Sequence, residues 1–247
     1  MRLNIILEPR EMKQNVIFPL DFRRHFISLI KSMLENSPVF NRFKQSKPGY
    51  SPYVFSVNFQ QILDIDTRTK EMCVKPPVYF LISTGLYEVM TALCNGAISL
   101  KGEDTILGLK LCRINLMPLK KIKYSQQVFK IRGHAVLRGR NGYLDPFECT
   151  TYDLEEAINT HLLKQYEFFC REYGRSFSNA IGKVKIIPSE SNYFKSVCSH
   201  YGGQLTTMRG NIALEGSPTS LQFLYDFGFG VRTGQGFGFL EVNNRCE

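Results

Sequence analysis

The sequence predicts an α+β protein with two tandem ferredoxin-like (βαββαβ) domains and a glycine-rich loop near the C-terminus. Two observations support this prediction. Strand-like and helix-like hydrophobic patterns follow the order β-α-β-β-α-β, and the same order then repeats more loosely. The 247 residues also suffice for two domains of about 120 residues each. The predicted domains are residues 1–118 and 124–247.

The first domain is predicted to begin with a strand over residues 2–8, followed by an amphipathic helix. Asp21 is the predicted N-cap of that helix. Its buried stripe, at helical spacing, consists of Phe22, Phe26, Leu29, Ile30 and Met33, and its polar faces carry Arg23, Arg24, Lys31 and Glu35. The domain continues with a loop at 43–52, a strand at 53–59, a charged turn at 64–71, a strand at 78–83, a helix at 86–93 and a strand at 106–114.

The second domain is predicted to contain a tight hairpin turn at 139–142. Asp153–Glu156 supply a capping box for a long helix that ends near residue 173. A later helix starts with Ser217 as N-cap and Pro218 at its first position. The predicted strands of this domain are 128–137, 184–187, 204–214 and 237–242.

The glycine-rich loop Phe227–Gly238 is the feature that most constrains function. Glycine accepts positive φ values, and successive free N–H groups form concave anion sites, which favours phosphate binding with the glycine tips free. A dinucleotide-binding fingerprint is excluded, because it needs a strand before the glycines and a helix after them. A long turn without a ligand is the alternative. The loop residues predicted to contact the phosphate are Arg232, Gly230, Gly234 and Gly236.

The positive charge of the chain is concentrated in one segment. The net charge is +9, and residues 105–144 contain nine Lys or Arg and no Asp or Glu. Such a segment is typical of a surface that binds a polyanion, and a solvated basic linker is the alternative. The further residues predicted to contact the polyanion are Lys120, Lys121, Lys123, Lys130, Arg132, Arg138 and Arg140.

Composition excludes several other classes of protein. The sequence has no run of eighteen apolar residues, so no transmembrane helix is expected, and its first residues do not resemble a secretory signal. Its seven cysteines are scattered without metal-ligand spacing, which argues against zinc and favours a reducing cytoplasm.

The helix, the G-x-G-x-x-x-G-x-G-F-G loop and the final strand together resemble the RAMP superfamily, the ferredoxin-like RNA-binding proteins of CRISPR systems. Two further blocks are similar to the Cas-six family of CRISPR RNA-processing endoribonucleases. One is Leu29-Ile30, a loop, and the strand Tyr53–Ser56. The other is a strand, a hairpin turn, Tyr143, Pro146 and a helix to Tyr166. The resemblance covers essentially the full length.

This resemblance implies cleavage of CRISPR repeat RNA (pre-crRNA) without a metal ion or another cofactor. A ribose 2′-OH attacks the adjacent phosphate and gives 2′,3′-cyclic phosphate and 5′-OH ends. The reaction needs a base, an acid, and cations for the phosphorane. The implied partner is CRISPR repeat RNA, with other CRISPR effector proteins as further candidates, and neither DNA nor a membrane. The chain is expected to act as a monomer or a homodimer.

The resemblance also implies which residues to examine for catalysis. Family members place a Tyr or Lys on the first helix, a His after it and a Lys in the next loop. The helix position falls on Lys31, but no histidine stands near 44–46. The identity of the base therefore stays open. The candidate catalytic residues are His25, Lys31, Lys44, Lys47 and Tyr50.

Each candidate has a structural alternative. His25 has a pKa suited to proton transfer at neutral pH, but a histidine between two phenylalanines is as often a packed core residue. Lys31 is alternatively a solvated helix residue, Lys44 and Lys47 simple phosphate contacts, and Tyr50 a packing residue. His134, His161 and His200 are dispersed along the sequence and are expected to be structural. Arg232 could pair with Asp226, and Arg138 and Arg140 could lie in a solvated turn instead of an RNA groove.

Two other functions remain open at this stage. The missing loop histidine allows a non-catalytic RAMP protein that binds repeat RNA without cutting it. A structural subunit of a larger CRISPR complex is the third possibility.

Overall fold

The computed structural model describes residues 1–11, 15–45, 50–174 and 180–243, with the side chains of 42–45 left aside. Within these residues the chain forms two antiparallel sheets, each with helices packed on one face. The fold class predicted from the sequence is confirmed. No helix in these ranges is long and apolar enough to span a membrane.

The strands of the first sheet are β1 (Arg2–Pro9), β2 (Val16–Pro19), β3 (Val54–Asp66), β4 (Glu71–Ser83), β5 (Asp104–Ile106) and β6 (Leu109–Met117), and the helices of this half are α1 (Arg23–Leu34), α2 (Pro38–Gln45) and α3 (Tyr87–Ser99). Four of the strands have the ferredoxin-like order β6-β1-β4-β3. The short strand β2 pairs with β4 on the side where β1 lies, and β5 pairs with β6.

The second sheet repeats this order as β13-β7-β12-β11, with β10 beside β12. A separate two-stranded hairpin, β8–β9, precedes the long helix α4. The elements of the second half of the chain are β7 (Gln126–Ala135), β8 (Arg138–Gly139), β9 (Gly142–Tyr143), α4 (Thr151–Tyr173), β10 (Lys185–Ile186), β11 (Asn192–His200), β12 (Gly203–Glu215), α5 (Pro218–Phe227) and β13 (Phe239–Val242).

Most predicted elements are present, and the differences have physical causes. Helix α2 replaces part of the predicted 43–52 loop, and β11 was missed because its alternating side chains are largely exposed. The predicted cap Asp21 is wrong, since α1 has no side-chain cap. The capping box of α4 is formed by Thr150 and Asp153, one turn earlier than predicted. The Ser217 cap of α5 is confirmed.

The two sheets are held together by buried polar contacts as well as by a shared apolar core. Arg2 of β1 donates hydrogen bonds to the carbonyl oxygens of Tyr225, at 3.0 Å, and Leu240 in the second half of the chain. Its guanidinium also stacks 3.6 Å above the Tyr225 ring. Ser56 of β3 donates to the Arg132 carbonyl at 3.4 Å. These contacts fix the first sheet against one side of the second.

Candidate RNA-binding site

The glycine-rich loop is packed between the two halves of the chain. A Cβ built on Gly234 would lie 1.9 Å from Ser51 Oγ, and one on Gly236 would lie 2.7 Å from the Phe55 ring. One on Gly230, whose φ is +81°, would lie 2.3 Å from the Val136 carbonyl oxygen. All three glycines are buried. The prediction that the glycine tips stay free is therefore wrong, because close packing against β3 and against Val136 requires residues without side chains.

Part of the loop's backbone is already bonded within the protein. The N–H of Gly236 donates to Thr233 O at 3.2 Å, and that of Gly238 donates to His134 O at 2.8 Å. These two groups are not available to a phosphate.

Arg232 is the side chain that the loop positions most tightly. Its backbone is left-handed, with φ of 60°. Its Nε and Nη2 donate to the Tyr143 hydroxyl at 2.9 and 2.5 Å, and Nη1 donates to Gln235 Oε1 at 2.8 Å. The alternative pairing with Asp226 is wrong, since Asp226 instead contacts the N-terminal amino group at 3.3 Å and accepts from Gln222. The guanidinium is thus held in one orientation at the half-exposed edge of the loop.

His200, at the end of β11, shares the hydrogen-bond acceptor Gln235 with Arg232. Its Nε2 lies 2.9 Å from Gln235 Oε1, the oxygen that also accepts from Arg232. Because that oxygen can only accept, Nε2 carries a proton. Nδ1 lies 3.7 Å from Asp21 Oδ1, and the other oxygen of that carboxylate, Oδ2, accepts from the Tyr201 N–H at 2.9 Å. Burial lowers the pKa of His200. Asp21 is thus not a helix cap but a link to the second sheet.

Arg23, predicted to lie on a polar face of α1, is buried against the loop. Its Nε donates to Gly236 O at 3.4 Å, and its guanidinium lies 4.7 Å from the Phe237 ring centre and 4.8 Å from that of Phe22. Burial lowers its pKa. The signal was present in the sequence, because Arg23 is in helical phase with the buried residues Phe26 and Ile30.

His134 of β7 faces the same region. Its Nδ1 lies 2.8 Å from Thr207 Oγ1, and that hydroxyl donates to Ser196 O at 3.0 Å. Burial, together with the positive charges of Arg23 and Arg209, lowers the pKa of His134 to about 3. His134 and His200 therefore both lie close to the glycine-rich loop in space. In the sequence they are far from each other and from the loop.

The predicted basic residues divide among several surfaces. On β7, Lys130 is exposed, whereas Arg132 forms an ion pair with Glu241 at 2.5 Å. Lys120, Lys121 and Lys123 lie in the exposed connection between the sheets. Lys120 and Lys121 line a cavity of about 420 Å³ beside α5, whose lining includes only the first residue, Phe227, of the glycine-rich loop.

The β8–β9 hairpin forms another basic surface, next to Arg232. Arg138 and Arg140 are both exposed, and Arg140 pairs with Glu156 of α4 at 2.7 Å. The Arg138 carbonyl lies 2.9 Å from His161 Nε2. Hairpin and helix enclose a cavity of about 830 Å³ that these four residues help to line. Tyr143, at the end of the hairpin, joins this surface to the glycine-rich loop.

On α1, the catalytic candidates Lys31 and His25 point in different directions. At 3.6 residues per turn, Lys31 lies about 80° around α1 from Arg23, and His25 lies about 200° from it. Lys31 is exposed, whereas His25 is half-buried with an unpartnered, buried Nε2, and burial lowers its pKa. The Tyr50 ring packs against Phe168 of α4 at 5.8 Å, and burial raises its pKa.

The remaining two candidates cannot be placed in the same way. Lys44 belongs to α2, but its side chain is not described, and Lys47 lies outside the described residues. Within the described ranges, no group of three or more His, Cys, Asp or Glu side chains is arranged to hold a metal ion.

Two ferredoxin-like sheets joined through a C-terminal glycine-rich loop define the RAMP class of proteins. The family model for the C-terminal part of CRISPR associated protein Cas6 matches residues 117–242, more than half of the chain. The chain therefore belongs to the Cas6 family. No curated protein matches the sequence.

Solved structures with the same fold cover nearly the whole chain. The product of a Cas6-related gene from Pyrococcus furiosus is 16% identical with a TM-score of 0.75, covering 100% of this chain and 99% of that one. A RAMP protein binding different RNA substrates is 16% identical with a TM-score of 0.73, covering 99% and 100%. A Cas6 product complex is 12% identical with a TM-score of 0.64, covering 98% and 99%. At these identities the likeness shows the fold.

Proposed function

We propose that this protein binds CRISPR repeat RNA and cleaves it without a metal ion. The observation that carries the proposal is the match to the Cas6 model across residues 117–242. The similar structures that contain a Cas6 product complex and an RNA-binding RAMP protein support it. In this proposal residues 1–118 and 124–247 are the two domains, and the RNA contacts both.

The proposed reaction is an internal transfer at one phosphate. The 2′-oxygen forms a bond to phosphorus while the bond from phosphorus to the 5′-oxygen breaks. A base takes the 2′-OH proton, and an acid protonates the leaving oxygen. The products are a 2′,3′-cyclic phosphate and a 5′-OH, and cations stabilise the phosphorane between them.

The geometry of α1 favours Lys31 over His25 as the catalytic group on this helix. Arg23 points from α1 to the glycine-rich loop, so its side of the helix faces the second half of the chain. Lys31 lies near that side, about 12 Å further along the axis, and His25 lies on nearly the opposite side. The ammonium group of a lysine such as Lys31 can stabilise the phosphorane as a point charge. Lys44 and Lys47 follow on α2 and after it, and supply further candidate cations.

Tyr50 is better suited to positioning than to proton abstraction. Burial and the nearby Glu167 charge raise its pKa, so its hydroxyl stays protonated at neutral pH. Its ring is fixed against Phe168. We expect the Tyr50 hydroxyl to donate a hydrogen bond to RNA and not to act as a base.

The test is incubation of the purified protein with labelled repeat RNA in EDTA. One RNA is all-ribose, and the others carry a single 2′-deoxy at each candidate position in turn. We expect one cut that one deoxy substitution abolishes. Lys31→Ala should slow single-turnover cleavage about 100-fold, as loss of one charge-stabilising group does, whereas His25→Ala should cleave at close to the wild-type rate. Lys75→Ala, at another exposed lysine, is the control for loss of one charge.

A binding-only RAMP protein is the second candidate. It is favoured by the directions of Lys31 and His25, which differ by about 120° around α1. Tight, salt-sensitive binding of repeat RNA with no cleavage of any form would establish it and reject the enzyme.

A further inference from the structure

The open face of the second sheet carries three side chains that no functional assignment above uses. Helices α4 and α5 cover the other face, where Met208, Ile212 and Leu214 of β12 lie in the core. The alternate residues of β12 therefore point to the face without helices, called here the open face, on which Arg209 is exposed while Thr207 and Leu205 are buried. Arg209 is among them, and its cross-strand partner on β11 is Phe194.

His134 joins Arg209 and Phe194 in one row across three strands. Ala135 of β7 pairs with Met208, which places His134 opposite Arg209, at an irregularity in the pairing. Gly133, with φ of +78°, allows this bulge, and bulges redirect neighbouring side chains. With strands about 4.8 Å apart, the row from Phe194 to His134 is about 10 Å long.

Phe194 and Arg209 have the exposure that a binding surface needs. The Phe194 side chain is 47% exposed, although it is large and apolar. The Arg209 guanidinium lies 5.9 Å from the centre of that ring. Arg209 is exposed and has no ion-pair partner among the described residues. An exposed aromatic ring beside a free guanidinium matches the stacking and phosphate contacts that hold single-stranded nucleic acid.

The hydrogen bonds of His134 determine which of its nitrogens is free to accept. The Thr207 hydroxyl has one proton, which it donates to Ser196 O at 3.0 Å. It must therefore accept from His134 Nδ1–H at 2.8 Å. In the neutral ring the lone pair is then on Nε2, which has no hydrogen-bond partner among the described residues. The ring is half-buried, between the Arg209 side of the sheet and Arg23.

We propose that Phe194, Arg209 and His134 form a subsite for one unpaired RNA nucleotide on the open face of the second sheet. Phe194 stacks on the base, Arg209 binds a phosphate oxygen, and His134 Nε2 accepts a hydrogen bond from the ribose 2′-OH. The ribose 2′-OH distinguishes RNA from DNA, and a hydrogen-bond acceptor in a fixed position can recognise it. The subsite rests on the proposed RNA-binding function, but it does not depend on cleavage.

The test compares binding of the CRISPR repeat RNA, a shuffled RNA and a DNA of the repeat sequence by fluorescence anisotropy at fixed salt. Phe194→Ala should weaken RNA binding about tenfold, as for loss of one stacking contact. Arg209→Ala should also weaken it about tenfold, as for loss of one charged hydrogen bond. Val197→Ala, on the opposite face of β11 and 49% exposed, is the matched control for Phe194. Arg68→Ala, in the exposed β3–β4 turn, removes the same charge as Arg209→Ala.

The role of His134 has a readout of its own. Thr207→Val removes the acceptor that fixes the tautomer, so it should weaken RNA binding while leaving DNA binding unchanged, and Thr207→Ser should restore the preference. His134→Gln, which retains an acceptor, should keep more of the preference for RNA than His134→Ala. A single 2′-deoxy at the bound nucleotide should weaken binding to the wild type and not to His134→Ala.

The outcomes separate this subsite from the proposed function. If the wild type binds and cleaves repeat RNA but all of these variants bind like it, the subsite is wrong and the function stands. If the wild type neither prefers the repeat nor cleaves it, yet Phe194→Ala and Arg209→Ala weaken binding of any RNA, the subsite stands alone. If the wild type binds no RNA, both are wrong.

Discussion

Replacing Gly234 with alanine tests whether this position requires a glycine for packing or for contact with a ligand. Gly234 does not have a positive φ, so alanine adds no backbone strain. Its Cβ would lie 1.9 Å from Ser51 Oγ and 2.4 Å from Ser51 Cβ, and the next neighbour, Tyr53, would be 3.8 Å away. One side chain therefore accounts for the whole clash.

The expected cost follows from that geometry. Adding a methyl group to a packed site typically destabilises a protein by about 1–3 kcal/mol. Ser51→Gly removes both clashing atoms, so Gly234→Ala combined with Ser51→Gly should recover most of the lost stability. Ser51→Ala removes only Oγ and leaves the 2.4 Å approach, so it should recover less. Gly236→Ala, at a φ of +86°, should not be recovered by any change at Ser51.

The assay is urea unfolding of the wild type, the single variants and the double variants, with repeat-RNA affinity measured in parallel. An interaction free energy of about 1 kcal/mol or more between the two positions is expected for groups in direct contact. A stable Gly234→Ala protein with weakened RNA binding would refute this reasoning. So would a double variant that regains stability but not RNA affinity, since Gly234 would then contact RNA itself.

Two other predictions concern buried polar groups. The pKa of His134 is about 3 in the folded protein, against about 6.5 unfolded. The unfolded state therefore binds more protons as the pH falls below 6.5, and the wild type should lose about 2 kcal/mol of stability between pH 7 and pH 5 through this residue alone. Urea unfolding of His134→Gln should show that much less pH dependence, and an unchanged pH dependence would contradict the burial of a neutral ring. Gln235→Met removes the oxygen that holds Arg232 and should lower RNA affinity about tenfold, the effect of losing one well-placed charged hydrogen bond. If Gln235 acts through Arg232, the double variant Gln235→Met/Arg232→Met should bind RNA no more weakly than Arg232→Met alone, whereas additive losses would show that Gln235 acts independently.

The sequence by itself determined the order of elements in both halves of the chain. Strand and helix periodicity, the Ser217 cap with Pro218, and the glycines of the last loop depend on neighbours within a few residues. Those signals lead to the two ferredoxin-like units. The missed strand β11 and helix α2 carry weak local patterns, so sequence reasoning had little to detect there.

The composition of the candidate site was decided by tertiary structure. Asp21 contacts Tyr201 across 180 positions, and His134 contacts Thr207 across 73. No local pattern encodes such pairs. Burial likewise depends on the packing of distant segments: Gly234 and Gly236 of the last loop lie close to Ser51 and Phe55, and Arg23 is buried. Local periodicity determines on which face of a helix or strand a side chain lies. The contacts of that face depend on the packing of segments that are distant in sequence.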